Sequence, residues 1–191
     1  MKSFTAPKIA ATHGRQTGRS GQTISHRKSA IHHSTRRSRT GQRILLVDDD
    51  PTVRDSLKEV LAGEGYCVIP AENGQEALDL AARLPVDLAV LDLNMPVKNG
   101  WDTFQQLTLE YPLIPIIIAT ARPNQLFAAL GAGAGALLEK PMDIPMLLRT
   151  MEKLLAETPG QRLARLAGVE AEFRYQAATE AREHILPAKH R

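Results

Sequence analysis

Four chemically equipped positions each stand at or just beyond the end of a short apolar run. Asp48-Asp49-Asp50 follows Ile44–Val47, Asp92 follows Leu88–Leu91, Thr120 follows Ile114–Ala119, and Lys140-Pro141 comes just after Ala136–Leu138. A carboxylate at the end of a buried run is costly unless something compensates it. Carboxylates gathered at one edge repel each other, and their pKa values rise unless a cation sits among them. One or two carboxylates completed by water is the oxygen ligand set that Mg²⁺ prefers. Lys140 would add a second, fixed positive charge. A metal and a lysine beside a lone carboxylate can stabilise a transferring phosphoryl group. The carboxylate can then be the nucleophile, as in aspartyl-phosphate chemistry. Taken singly, each residue also fits a solvated strand end; the match of all four ends is what points to a site.

The elements needed to gather these groups are legible as alternating textures. Strands are expected at Ile44–Val47, Cys67–Ile69, Leu88–Leu91, Ile114–Ala119 and Ala136–Leu138. Between them the apolar spacing is close to 3.6, which marks helices. Val53, Leu57, Val60 and Leu61 form the first face, and Ala77, Leu78 and Ala81 the second. Trp101, Phe104 and Leu107 form the third, Leu126–Leu130 a weaker fourth, and Ile144, Leu147, Leu148, Met151 and Leu155 the fifth. Asp50-Pro51 suits an N-cap followed by proline at the first helical position. Strictly alternating βα units with strands apolar on both faces predict a parallel sheet covered by helices on each side. In such sheets ligands bind beyond the carboxyl ends of the strands, where these acids, the hydroxyl and the ammonium converge. Cys67, the only cysteine, excludes an intrachain disulfide and reads as a buried strand residue.

The stretches ILLVDDD, LAVLDLNMPVKNGW, IIIATA and GAGALLEKP resemble the receiver domain of two-component response regulators over residues 43–157. That resemblance implies a five-stranded flavodoxin-like fold with strand order 2-1-3-4-5. It implies phosphorylation of Asp92 by the phosphohistidine of a sensor histidine kinase or phosphotransfer protein, with slow self-catalysed loss rather than enzymatic turnover. It assigns Mg²⁺ to Asp49, Asp92 and the Asn94 backbone carbonyl, with Asp48 acting through water. Lys140 would pair with the phosphoryl group, the Thr120 hydroxyl would move to meet it, and the Lys140-Pro141 bond would be cis. The family also suggests dimerisation through the face of the fourth helix, fifth strand and fifth helix. Two positions depart from the pattern: Leu137 replaces the usual Tyr or Phe three residues before the lysine, and Met142 replaces the favoured Phe after Lys-Pro. A rival is DDDPTV (48–53), which fits the D-x-D-x-T-V pattern of haloacid-dehalogenase-like phosphatases. There Asp48 would be the nucleophile and Asp50 the general acid. That reading leaves Asp92 without a role and lacks the late acidic pair. A flavodoxin is disfavoured because three aspartates after the first strand would repel a flavin phosphate.

Charge divides the chain. Residues 1–43 carry ten Lys/Arg and no acid, whereas residues 44–159 carry eight basic and seventeen acidic residues, a balance of −9. Residues 1–42 lack a periodic apolar face and read as a disordered basic extension. Its STRRSR stretch (34–39) suits contact with nucleic acid or another anionic surface. An acid-free Arg/Ser-rich start also resembles an organellar transit peptide. His13, His26, His32 and His33 have no nearby Cys or carboxylate partners and are not read as metal ligands. The Gly131–Gly135 stretch lacks bulk and reads as pliant. Beyond Thr158-Pro159-Gly160, Leu163, Leu166, Val169, Phe173 and Ala177 predict one amphipathic helix reaching toward Glu183, in a 158–191 segment too short for an independent DNA-binding output domain. No stretch approaches a membrane span and no secretory signal is visible, so a cytoplasmic location is expected.

Overall fold

A computed structural model describes residues 41–96, 99–169 and 173–177. The readings made for residues 1–40 and for the far end of the C-terminal helix lie outside the described residues. The chain runs β1 (Arg43–Val47), α1 (Pro51–Gly63), β2 (Cys67–Ala71), α2 (Gly74–Arg83), β3 (Leu88–Leu91) and α3 (Gly100–Glu110). It continues through β4 (Ile116–Thr120), α4 (Leu126–Gly131), β5 (Ala136–Glu139), α5 (Ile144–Leu155), α6 (Pro159–Leu166) and β6 (Arg174–Gln176). All pairings are parallel, in the order β2-β1-β3-β4-β5-β6. The expected 2-1-3-4-5 core is present, and a sixth strand extends it.

Period-two alternation sorts the strand residues onto two faces. Leu45, Val47, Ala89, Leu91, Ile116, Ile118 and Leu137 meet α2, α3 and α4 through Ala77, Leu78, Phe104, Leu107 and Ala129. Ile44, Leu46, Leu88, Val90, Ile117, Ala119 and Leu138 meet α1 and α5 through Leu57, Leu61, Leu147 and Met151. A one-residue slip in any strand would exchange these sets, so burial on both faces fixes the register. Helix starts are set by side chains. Asp50 accepts from the Thr52 and Val53 amides, Asn73 from Glu76 N and Asp143 from Met146 N. Among the described residues no helix is long and apolar enough to cross a membrane.

The C-terminal segment differs from its expectation in three ways. The helix stops at Leu166, and Gly168 takes a left-handed φ of 67°. The chain then returns as β6 beside β5. The buried face of α6 is also not the leucine stripe. Arg162 and Arg165 are 1% and 3% exposed, while Leu163 and Val169 are 48% and 74% exposed. The cause is the surface beneath the helix, which presents backbone carbonyls before β4 and β5. Arg162 Nε donates to Pro112 O (3.2 Å), Nη1 to Gly133 O (2.8 Å) and Nη2 to Ile114 O (3.0 Å). Arg165 donates to Gly133 O (3.2 Å) and to the Glu157 carboxylate. A guanidinium offers five N–H donors, and a leucine offers none.

Within the Gly131–Gly135 stretch, Gly133 and Gly135 form a floor on which α5 and α6 pack closely. A Cβ at Gly135 would stand 2.7 Å from Leu154 Cδ1, and one at Gly133 would stand 3.0 Å from Leu166 Cα. Cys67 also departs from its expected burial. It opens the edge strand β2 and is exposed.

Candidate functional site

The sheet ladder itself brings the functional residues together. Asp92 N donates to Val47 O at 2.9 Å, so the residue after β3 is pinned beside the end of β1. Asp48 N donates to Ala71 O (3.2 Å) and Lys140 N to Thr120 O (2.9 Å). Four segments far apart in sequence therefore end on one edge because their backbones are hydrogen-bonded neighbours there.

The side chains then converge. Lys140 Nζ lies 2.7 Å from Asp48 Oδ2 and 2.7 Å from Asp92 Oδ2. The other oxygens are held by local amides: Asn94 N donates to Asp92 Oδ1 (2.9 Å) and Asp50 N to Asp48 Oδ1 (3.0 Å). Asp48, Asp92 and Thr120 are buried, while Asp49 is exposed. Burial pushes the Asp48 carboxyl above its usual range, and the Lys140 hydrogen bond and charge offset this only in part. Burial also pulls on Lys140, but the hydrogen bonds and charges of Asp48 and Asp92 outweigh it and hold the ammonium protonated, its pKa raised.

Asp48, Asp49 and Asp92 can each present one carboxylate oxygen within 4.8 Å of the others. Three carboxylates and one ammonium leave two negative charges, which a divalent ion would neutralise. The donors are all oxygens, a set suited to Mg²⁺ rather than to a soft metal. The residues present therefore fit that ion. Asn94 lies in the same loop, with its amide on Asp92.

Other residues sharpen the picture. Asp50 does not join the acids: its carboxylate caps α1, accepting from Thr52 N at 2.8 Å. The phosphatase pattern thus loses its general acid. Glu139, the lone acid before Lys140, accepts from the Tyr175 hydroxyl at 2.9 Å. Thr120 Oγ1 accepts from Arg122 N (3.1 Å), and Arg122 Nε reaches Asn94 Oδ1 (3.3 Å). Arg122 was not read from sequence, and a lone arginine two residues past Thr120 gives no signal. Gly100 was also missed. A Cβ there would stand 2.3 Å from Leu93 Cα and 2.5 Å from Asp92 O, so only glycine lets α3 start against this loop. Leu137 is fully buried, and its register partner on β6 is Tyr175. The Lys140-Pro141 bond is cis.

A doubly wound parallel sheet with acids from two strand ends facing a lysine from a third is the architecture of flavodoxin-like signalling domains. Within that class the chain belongs to the response regulator receiver domain family, whose model matches residues 44–152. It is 43% identical over 118 residues to the response regulator MprA of Mycolicibacterium vanbaalenii, covering 61% of this chain and 51% of that protein. The chain thus spans about half the length of the curated relatives it matches. Among solved structures it resembles the response regulator TrrA from Thermotoga maritima in complex with Mg²⁺-BeF. The identity is 34% and the TM-score 0.56, over 59% of this chain and 98% of that one. The non-phosphorylated HemR receiver domain from Leptospira biflexa is similar at 31% identity and TM-score 0.56, over 61% and 96% of the two chains.

Proposed function

We propose that this receiver domain accepts a phosphoryl group on Asp92 from the phosphohistidine of a sensor histidine kinase or phosphotransfer protein, and thereby switches its protein contacts. The observation that carries this reading is the Lys140 ammonium held between the Asp48 and Asp92 carboxylates, 2.7 Å from each. An Asp92 oxygen attacks phosphorus, the phosphorus–nitrogen bond breaks, and its electron pair leaves with the imidazole. Mg²⁺, when bound by Asp49 and Asp92 with Asp48 and the Asn94 carbonyl completing the site, supplies charge neutralisation for the phosphoryl oxygens.

The chain's own residues do the rest. Lys140 keeps Asp48 as its partner and turns from the consumed Asp92 oxygen toward a phosphoryl oxygen. The Thr120 hydroxyl, buried at the adjacent strand end, has a proton to donate to the same group. Hydrolysis follows when water attacks phosphorus and the Asp92 oxygen–phosphorus bond breaks, restoring the carboxylate. The phosphoryl group carries about −1.5 to −2 charges. It must favour the switched conformation by a few kcal/mol to change its population usefully.

The experiment is incubation with acetyl phosphate and Mg²⁺ followed by intact mass measurement. One phosphoryl group is expected on the wild type and none on Asp92→Asn. A wild type that stays unmodified, or an Asp92→Asn variant that is modified equally, overturns the reading.

A further inference from the structure

An open sheet ends in two strands whose outward backbone groups have no partner, and each such edge invites a strand from another molecule. Among the described residues the outer strands are β2 and β6. Each carries its own obstacle. At β2, Cys67 N donates to Gln42 O (2.8 Å) and Ala71 O accepts from Asp48 N (3.2 Å). Alternate residues of a parallel ladder bond to the same neighbour, so residues 67, 69 and 71 turn toward β1 while Val68 and Pro70 turn outward. Pro70 has no N–H to offer an incoming strand.

On the other side the edge would be β5, a better template. Its Ala136, Leu137 and Leu138 are apolar and fully buried, and in a chain ending at α5 their outward backbone groups would be open. The chain fills that place itself, setting Arg174, Tyr175 and Gln176 in register with those three residues. Several contacts hold the strand there. Phe173 packs against the core, the Tyr175 hydroxyl donates to Glu139, and Arg174 and Glu139 each take part in further interactions. α6 delivers it, anchored by guanidinium bonds to three carbonyls. What then faces outward is β6, three residues long and opening with an arginine. A very short edge strand with a charged residue is a poor template for a newcomer.

We propose that residues 173–177 are a guard strand: they fill, from within the chain, the place along β5 at which a second copy would add, so this domain does not pair with itself by extending its sheet, either at rest or phosphorylated. The phosphorylated half of this statement rests on the phosphoacceptor reading above, and the resting half does not. Along β5, the face at which the family resemblance suggested dimerisation is taken by the chain's own β6. The contacts that phosphorylation switches then lie on helices and loops.

The test is sedimentation velocity of the full chain over a range of concentrations, with and without acetyl phosphate and Mg²⁺, with intact mass read on the same samples. The wild type should sediment as a single chain throughout. Tyr175→Pro, which breaks the strand, should form a species of double that mass, and its amides at 136–138 should gain protection from exchange as concentration rises. Phe173→Asp removes the packing and carries the same expectation should the proline variant fail to fold. A wild type that doubles its mass in either state overturns the proposal. So do variants whose faster exchange at 173–177 shows β6 unseated but which stay single chains at every concentration, because β5 then had no tendency to pair. A variant dimer without protection at 136–138 joins elsewhere and overturns it too. A wild type that gains no phosphoryl group counts instead against the phosphoacceptor reading and leaves the resting comparison standing, so the two failures are distinct.

Discussion

Gly100→Ala tests whether the loop after β3 is built to the tolerance that its chemistry requires. The added methyl would lie 2.3 Å from Leu93 Cα and 2.5 Å from Asp92 O. Carbon atoms in contact settle about 3.5–4.0 Å apart, so the backbones must part by about 1 Å. Neither obstacle is a side chain that can rotate aside. Overpacking of this kind costs about 1–3 kcal/mol, which a domain of ordinary stability survives. Function is less tolerant, because reacting groups must hold their geometry to about 0.5 Å and a displacement near 1 Å can cost roughly a hundredfold in rate. The variant should therefore remain folded in urea titrations while its acetyl phosphate reaction, followed by mass against time with Mg²⁺, slows by roughly two orders of magnitude. A variant that phosphorylates at the wild-type rate, whatever its stability, refutes the argument that this glycine sets the position of Asp92.

Further outcomes follow from the site and the C-terminal segment. Lys140→Met strips Asp48 and Asp92 of their shared cation and should cost about 3 kcal/mol in urea unfolding without metal. Saturating Mg²⁺ should return most of that loss, and an equal loss in both conditions would contradict a shared cation site. Arg162 has its pKa pulled down to about 10 by burial and by Arg165, which still leaves it charged at neutrality. Arg162→Met leaves the Pro112 and Ile114 carbonyls without that donor. It should raise exchange at 159–167 by an amount worth about 2 kcal/mol, and unchanged exchange would mean the leucines dock the helix after all. The Tyr175 phenol is raised above its ordinary pKa by its bond to Glu139. Its contribution is therefore whole below about pH 10 and disappears as pH climbs through the raised value. Exchange at 173–177 should accelerate there in the wild type but not in Tyr175→Phe.

The sheet was readable because its signals are local and repeated. Each strand is an apolar run buried on both faces, and each functional residue marks where a run stops. Parallel order then brings Asp48 and Lys140 into contact across 92 positions, without any further information. The C-terminal segment misled because its apolar residues have helical spacing, whereas the surface below offers carbonyls that only arginines can satisfy. Arg-Tyr-Gln has no apolar run to announce a strand, so β6 depends on β5 being available. Gly100 and Arg122 were hidden for a different reason, since each matters through a neighbour distant in sequence. Asp50 carried two readable roles, acid and cap, and the two free amides of α1 decided between them.

Because β6 runs the same way as β5, Gln176 is level with Leu138, one residue before Glu139. A chain leaving the last turn of α6 would have set off from the opposite rim, near Gly133. The path onward from this domain therefore starts next door to the lysine loop. On the phosphoacceptor reading proposed above, anything tethered there would be aimed by the same few residues that handle the charge, so its heading as well as its binding would follow the switch.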